Sequence, residues 1–245
     1  MADRVLVRGG RVRKTFKYTI ITVLSLAGLL LMVSVFYRSG YVLDFLGIHI
    51  DNPLSRRVTV PESYSQVDAN NNGIADPIDI VNAARKEVEQ RTTYKSVYYA
   101  GGYPPDDEGV CTDVIWRGLL AAGINLKDLM DEDIANNIEL YPRTNGKREP
   151  NIDFRRVGNQ YVFFERYAET LATEVIPGDI DNLEQWQPGD IVVFEGLKHV
   201  AIISDRRAKD GTPYIIHNSP PYASEVKLKS YNTPIEGHYR WRYED

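Results

Sequence analysis

One cysteine and two histidines are the residues of this 245-residue chain whose types and order could do chemistry. Cys111 is the single cysteine of the sequence, and it follows a loop rich in Gly, Pro and acidic residues at 101–109. The apolar residues after it recur at helical spacing, so Cys111 is predicted to open a helix. Unpaired N–H groups and the dipole at a helix amino terminus favour a thiolate, which prepares a cysteine nucleophile. The alternative is a small, buried apolar cysteine.

A thiolate nucleophile needs an imidazole that shuttles a proton and a third polar group that fixes the tautomer of that imidazole. His199 is predicted to open one strand and His217 to close the next, so a hairpin would bring the two rings together if the register permits. Asn218 is the alternative third residue, although neighbouring strand residues point to opposite faces. His49 is expected at the surface or an interface, and His238 is expected to be structural or to line the cleft.

A second motif predicts a metal site in segment 68–79. Oxygen ligands fall at the positions of a calcium loop, with Gly73 at the sharp turn and Asp in place of the usual Glu at the last position. The predicted ligands are Asp68, Asn70, Asn72, Ile74 through its carbonyl, Asp76 and Asp79. The pattern resembles the calcium loops of dockerin modules and EF-hands, and it predicts a structural Ca²⁺ of millimolar-range affinity.

The alternative for this segment is an Asn/Gly turn followed by a helix that Asp76 caps, with Pro77 in its first turn. No cofactor is predicted for catalysis.

The elements that must position these residues change in period along the chain. Helical spacing is found at 77–91, after Cys111 as far as Gly123, at 126–137 and at 161–172. β-Branched and aromatic runs separated by turn residues follow, and they predict antiparallel strands at 191–194, 199–204, 213–217 and 238–243. Helices followed by a meander of strands predict an α+β domain with helices packed on an antiparallel sheet.

The charge and hydropathy of the amino-terminal part differ from those of the rest. Six basic residues and one acidic residue precede residue 38, and the remainder carries 23 basic against 33 acidic residues, which argues against a nucleic-acid partner. Residues 18–37 contain no charge and are long enough for a transmembrane helix, with a basic cytoplasmic tail at 1–17. The prediction is a single-pass membrane protein with an extracytoplasmic domain at 64–245 after a linker at 38–63. A cleaved signal peptide is the alternative.

Blocks of the sequence also resemble a known family. Tyr99-Ala-Gly-Gly, Cys111 opening a helix, Pro188-Gly-Asp-Ile-Val-Val-Phe, His199-Val-Ala-Ile-Ile and Ile215-Ile-His resemble, in order, the NlpC-type cell-wall cysteine peptidases, which are circularly related to the papain fold. Cys111-Thr-Asp-Val, Asn151-Ile-Asp-Phe-Arg-Arg, His217-Asn and Gly237-His-Tyr-Arg resemble the domain-of-unknown-function 1287 family, which is grouped with those peptidases.

The resemblance implies Cys111 as nucleophile, His199 as base, His217 as the orienting third residue and Tyr99 as a donor to the oxyanion. The usual Asp-Cys-Ser-Gly is Val-Cys-Thr-Asp here, so the resemblance does not predict which residues form the substrate pocket. The predicted function is a membrane-anchored, extracytoplasmic cysteine hydrolase that cleaves amide bonds in peptidoglycan stem peptides. The alternatives are an acyltransferase or amidase acting on a lipid or small molecule, and a non-catalytic wall-binding module.

Overall fold

The computed structural model of the chain describes residues 16–29 and 40–243. The chain divides into two compact units, Met1–Val42 and Leu43–Asp245. In the first unit, residues 16–29 and 40–42 are helical. The second unit includes residues 43–63 as well as the predicted domain of residues 64–245.

The predicted transmembrane helix at residues 18–37 is wrong. Within the two described ranges, the structure has no helix with both the length and the apolar character that crossing a membrane requires. Residues 30–37 of the prediction lie outside the described residues. The single-pass localisation that depended on this helix is contradicted with it.

Residues 43–45 of the second unit are also helical, and six further helices lie wholly within its described residues. Pro77 lies in the first turn of the first helix, where its missing N–H costs nothing, and Val81 and Ala84 are buried on one side of that helix. Two 3₁₀ turns, Ile138–Leu140 and Asp153–Arg155, lie between the third and fourth helices. The helices are α1 (Asp76–Glu89), α2 (Cys111–Ala121), α3 (Leu126–Asn136), α4 (Val157–Tyr167), α5 (Ile180–Glu184) and α6 (Leu228–Tyr231).

Eight strands form one sheet in the order β2-β1-β7-β6-β5-β4-β8-β3. The predicted antiparallel sheet is corrected to a mixed sheet, because β1 and β2 pair in parallel at its edge while the other pairs are antiparallel. The α+β class holds. The strands are β1 (Thr93–Tyr94), β2 (Glu108–Gly109), β3 (Glu169–Thr170), β4 (Ile191–Phe194), β5 (Val200–Arg207), β6 (Pro213–Ser219), β7 (Tyr222–Lys227) and β8 (Ile235–Arg240).

The helix that begins at Cys111 lies close to both α1 and the sheet. A Cβ added at Gly118 in α2 would be 2.9 Å from Cδ1 of Ile202 on β5 and 3.3 Å from the carbonyl oxygen of Ile80 on α1. A Cβ at this position would push against the Ile202 side chain and the backbone of α1, so glycine lets the three elements pack closely. The side chains of Val200 and Ile202 belong to the core beneath α2, so the close packing holds the start of β5 against this helix.

Gly189, in the turn before β4, gives a testable prediction for the packing of that turn against the start of α1. Its φ is +83°, and an added Cβ would be 2.9 Å from the backbone oxygen of Pro77 at the start of α1. Gly196 has a similar φ of +79° with nothing within 4 Å of an added Cβ. Gly196→Ala is expected to cost about 1 kcal/mol from backbone strain alone, and Gly189→Ala about 1–3 kcal/mol more. Urea unfolding of both variants measures this difference, and equal midpoints would refute the close approach.

Candidate active site

Cys111 is the first residue of α2, as the sequence predicts. Val110 precedes it in an extended conformation, and its N–H donates to Oδ2 of Asp113 at 2.8 Å. A carboxylate in the third position of a helix that accepts the N–H of the residue before the helix fixes where the helix starts. The position of the sulfur therefore depends on how firmly Asp113 is held.

Asp113 is held by Arg155, and both side chains are buried. Arg155 donates from Nε to Oδ1 at 2.7 Å and from Nη2 to Oδ2 at 2.8 Å, a bidentate geometry, and Nε1 of Trp116 donates to Oδ1 at 2.8 Å. Arg155 also donates to the carbonyl oxygen of Val97 at 3.1 Å, and its own carbonyl accepts from Oγ1 of Thr112 at 3.0 Å. One guanidinium thus joins the tip of α2 to the loop that precedes β2.

The Cys111 thiol lies in the core and is 6 % exposed. Burial raises its pKa to about 11, although hydrogen bonds from the backbone of Val200, Thr112 and Cys111 itself lower it. The sequence predicted that the helix terminus would favour a thiolate, but the desolvation of a buried charge outweighs that effect. The thiol is therefore neutral at pH 7. Its contact with Val200 places it beside the residue that follows His199 in the chain.

The two predicted histidines are brought together. Nε2 of His199 lies 2.8 Å from Nδ1 of His217, so one of these nitrogens donates to the other. Nε2 of His217 lies 3.3 Å from Oγ of Ser224, which is its cross-strand partner on β7. Within the described residues, Nδ1 of His199 makes no hydrogen bond, which leaves it as the nitrogen that can exchange a proton with a thiol or a substrate.

Both imidazoles are neutral because loss of hydration disfavours the charged form, with His217 buried and His199 half-buried. Burial lowers the pKa of His199 to about 4. The pKa of His217, which is fully buried, is lowered well below 6.5 by burial and by His199. Rings of Phe194 and Tyr231 contact the pair, with Tyr231 stacked on His199 at a centroid distance of 5.1 Å.

Asn218 does not contact His199. Its side chain is buried, and its Nδ2 donates to the carbonyl oxygen of Thr92 at 3.2 Å. Adjacent strand residues alternate between faces, so the register that directs His217 to His199 directs Asn218 elsewhere. Of the two candidates for the third position, His217 is the one that contacts His199.

Tyr99, the predicted oxyanion donor, has its hydroxyl engaged elsewhere. It donates to Oε2 of Glu108 at 2.6 Å, and Lys95 binds the other oxygen of this carboxylate at 2.6 Å. Arg155 lies over the Tyr99 ring at 5.1 Å. Burial and the bond to Glu108 raise the pKa of Tyr99 to about 12, so it is a protonated donor at neutral pH. Tyr99 would have to release Glu108 in order to bind an oxyanion.

The other two histidines are structural. His238 is buried, stacks on Trp186 at 3.9 Å and contacts Oδ2 of Asp190 at 3.1 Å. His49 contacts Asp44 at 3.1 Å. Neither lies in the cysteine–histidine cluster described above.

The segment predicted to bind calcium forms a turn whose oxygens are engaged within the chain. Asp68 accepts the N–H groups of Asn72 at 3.0 Å and Gly73 at 2.8 Å, and Oδ2 of Asp79 accepts from the amides of Asn70 and Asn72, both at 2.8 Å. Both oxygens of Asp76 face the N–H of Ala69. The carbonyl of Ile74 has no contact described.

Among the described residues, no group of three or more His, Cys, Asp or Glu side chains could hold a metal ion. Asparagine and backbone oxygens also bind Ca²⁺, so calcium binding stays a prediction.

The site is thus of the cysteine–histidine class: a cysteine at the tip of a helix lies against the strand that follows one of two hydrogen-bonded histidines. Residues 81–241 match the family described as "Domain of unknown function (DUF1287)", and the chain belongs to this family. It is also 36% identical over 191 residues to the "Uncharacterized protein YijF" of Escherichia coli (strain K12), covering 74% of this chain and 87% of that protein. The predicted DUF1287 resemblance is thus confirmed, whereas the wider NlpC-type placement stays a prediction.

Sequence reasoning missed three residues that hold the site. Ser224 and Tyr231 follow β6, in a part of the chain for which no strand or helix was predicted, so no signal gave their positions. Arg155 lies inside the block that resembles the family, but its role depends on a buried contact with Asp113 that no sequence pattern predicts.

Arg155 and its neighbour Arg156 form a matched pair for testing the anchoring of α2. Arg155→Met would leave the buried Asp113 carboxylate without its guanidinium, and we expect a loss of about 3–5 kcal/mol in the free energy of unfolding. Arg156 is half-buried where it binds the buried Asp153, so water can replace its guanidinium and Arg156→Met should cost about 1–2 kcal/mol. Urea unfolding followed by circular dichroism measures both losses, and similar losses would contradict the anchoring role.

The lowered pKa of His199 predicts a loss of stability in acid. The folded-state pKa of His199, about 4, lies below the value of about 6.5 in the unfolded chain, so between these pH values the unfolded chain binds the extra proton. Stability should therefore fall from pH 6.5 to pH 4, by up to about 1.4 kcal/mol per pH unit for this group. His199→Asn should make the decline shallower, and an unchanged slope would show that His199 is not buried as a neutral ring.

Calcium binding is tested by thermal unfolding with and without millimolar Ca²⁺. We expect the ion to raise the melting temperature of the wild type, because binding to the folded state alone stabilises it. Asp79→Asn keeps an acceptor for Asn70 and Asn72 but removes a charge, and it should abolish the rise. Mg²⁺ is the control, and it should leave the wild-type melting temperature unchanged. The calcium prediction fails if Ca²⁺ also leaves that temperature unchanged.

Proposed function

We propose that this chain is a cysteine hydrolase that cleaves amide bonds, with Cys111 as nucleophile, His199 as base and His217 as the orienting residue. The observation that carries the proposal is the hydrogen bond of 2.8 Å between His199 and His217 beside Val200, whose backbone contacts the Cys111 sulfur. A nucleophile, a base and a group that orients the base are the parts that acyl transfer requires.

The neutral state of the site determines how the first step proceeds. The Cys111 sulfur attacks the amide carbonyl carbon while its proton passes to Nδ1 of His199, because no thiolate is formed in advance. As His199 becomes an imidazolium, its Nε2–H donates to Nδ1 of His217, and Nε2–H of His217 donates to Oγ of Ser224. This series of hydrogen bonds spreads the new positive charge in a site where an isolated cation would be costly.

The oxyanion that forms would lie at the amino terminus of α2. The backbone N–H of Cys111 is one of the first N–H groups of the helix, which have no partner within it, and the hydroxyl of Tyr99 would be the second donor after leaving Glu108. One such donor is worth about 3 kcal/mol in acyl transfer.

The second half of the reaction returns the site to its starting state. His199 gives its proton to the amide nitrogen as the carbon–nitrogen bond breaks and the amine leaves, so a thioester on Cys111 remains. Water then attacks the thioester carbonyl while Nδ1 of His199 takes its proton, and the carbon–sulfur bond breaks. The thiol regains the proton from His199, and the net change is addition of water across the amide.

For the substrate, we propose the amide bonds of peptidoglycan stem peptides. This part rests on the resemblance to NlpC-type peptidases, within which we place the family. Asp106 and Asp107 lie exposed in the loop ahead of Cys111, where carboxylates would favour an amine on such a peptide.

A non-catalytic binding module is the second candidate, and one observation favours it. Cys111 is only 6 % exposed, and burial raises its pKa, as is usual for an inert core cysteine. The two candidates differ in whether the thiol forms a covalent bond with an acyl group.

Digestion of purified peptidoglycan, with products identified by mass spectrometry, tests the proposal. The wild type should release fragments with new amino and carboxyl ends, and Cys111→Ala should reduce the rate by at least about 10³-fold because the nucleophile is lost. His49→Gln is the control, since this imidazole lies outside the site, and it should keep the wild-type rate within about twofold.

Full activity in Cys111→Ala would remove the nucleophile assignment. Products that carry an added amine in place of water would identify an acyltransferase. A wild type that binds peptidoglycan without any new ends would favour the binding module.

A further inference from the structure

Tyr231, the last residue of α6, lies against both histidines of the candidate site. Its ring stacks on His199 with centroids 5.1 Å apart and planes at 19°, and it meets His217 edge-on at 5.2 Å and 79°. Phe194 contacts the Tyr231 ring at 4.4 Å and the His199 ring at 5.8 Å. Two aromatic rings thus occupy positions around His199 that water would otherwise fill.

The protonation of His199 depends on this covering and on its hydrogen-bonded partner His217, with which it is electrostatically coupled. The titratable side chains that face it are His217 from β6, Tyr231 from α6 and, through Val200, Cys111 from α2, while Phe194 from β4 is apolar. Burial lowers the pKa of His199. The rings that exclude water from the imidazole therefore decide the pH at which it takes up a proton.

We propose that Tyr231 is a positioning residue of the cysteine–histidine site, which fixes the plane of the His199 ring and keeps that ring neutral. The inference rests on the proposed hydrolase function, because a neutral imidazole is what can accept the thiol proton. Stacking resists rotation of the His199 ring about its Cβ–Cγ bond, because that rotation would turn the ring plane into Tyr231. Nε2 therefore stays hydrogen-bonded to His217, and Nδ1 stays available for proton transfer. Tyr231 acts through His199, and it is not assigned a contact with substrate.

The place of Tyr231 in the fold allows it to be replaced. It is partly exposed, on a helix of four residues that ends at Asn232 in a left-handed conformation. Removing its ring would open the histidine pair to water from this side and would not leave a closed cavity in the core.

The test is an NMR titration of the four histidines of the chain, with the His199 signal assigned from the His199→Asn variant. Tyr231→Ala should raise the pKa of His199 by about one unit or more, towards the value of an exposed imidazole. Tyr231→Phe keeps the ring and should shift the His199 pKa less than Tyr231→Ala does. Tyr222→Ala is the matched control, because Tyr222 stacks on Phe45 and not on either histidine of the pair.

A His199 pKa that stays at the wild-type value in Tyr231→Ala would overturn the inference. If Tyr231→Ala does not fold, Tyr231→Leu replaces it, and a shift of about half a unit or more is then expected because leucine covers less of the ring. The hydrolysis rate of the wild type and of each variant is measured against pH in parallel, and its acid limb should move with the His199 pKa. A wild type without hydrolysis, but with the predicted titrations, would refute the proposed function and leave the control of His199 protonation by Tyr231 standing.

Discussion

The buried ion pair between Asp113 and Arg155 is the interaction on which the arrangement of the candidate site depends. Taking two charges out of water costs several kcal/mol each unless their hydrogen-bonding capacity is filled. Here Arg155 binds both oxygens of Asp113, and Trp116 and the Val110 N–H bind them as well. The pair therefore has one satisfied geometry, and that geometry sets the first turn of the helix that begins at Cys111.

Burial then decides the chemistry of the sulfur. A helix amino terminus stabilises a negative charge by about 0.3–1 kcal/mol, and by at most about 2 kcal/mol in partly buried sites. Burying that charge costs more, which is why the pKa of Cys111 is raised to about 11 despite its helix-tip position. Loss of hydration also keeps the buried His217 and the half-buried His199 neutral. In the reaction that we propose, the neutral thiol would pass its proton to the imidazole during attack, as a serine nucleophile does, and would not start from a thiolate–imidazolium pair formed beforehand.

Sequence patterns predicted the elements that carry the site but not the contacts that complete it. Helical spacing gave the start of α2 at Cys111, and β-branched runs gave β4, β5 and β6, because these segments bury one strongly apolar face or run. The strands β1, β2 and β3 have two residues each, too few for any periodicity. β7 carries Ser224 and Glu225 in buried positions, so its alternation does not look like that of a strand with one polar face. The partner of His217 on β7 could not be predicted without that strand.

Hydropathy misled in a different way. The uncharged run at 18–37 satisfies the composition of a membrane span, but among the described residues no helix meets both the length and the apolarity that a span needs. For segment 68–79, spacing alone matched a calcium loop, while the described contacts show the same oxygens accepting N–H groups of the turn itself. Spacing reports which side chains can converge, and it does not report what they bind.

The rate of alkylation of Cys111 by iodoacetamide, measured against pH in the wild type and in His199→Asn, tests the central claim most directly. If thiol and imidazole act together, the wild type at pH 7 should react at least about tenfold faster than His199→Asn, while circular dichroism shows both folded. Equal rates that rise only as the solution approaches the thiol pKa of about 11 would show an isolated core cysteine and would contradict the account.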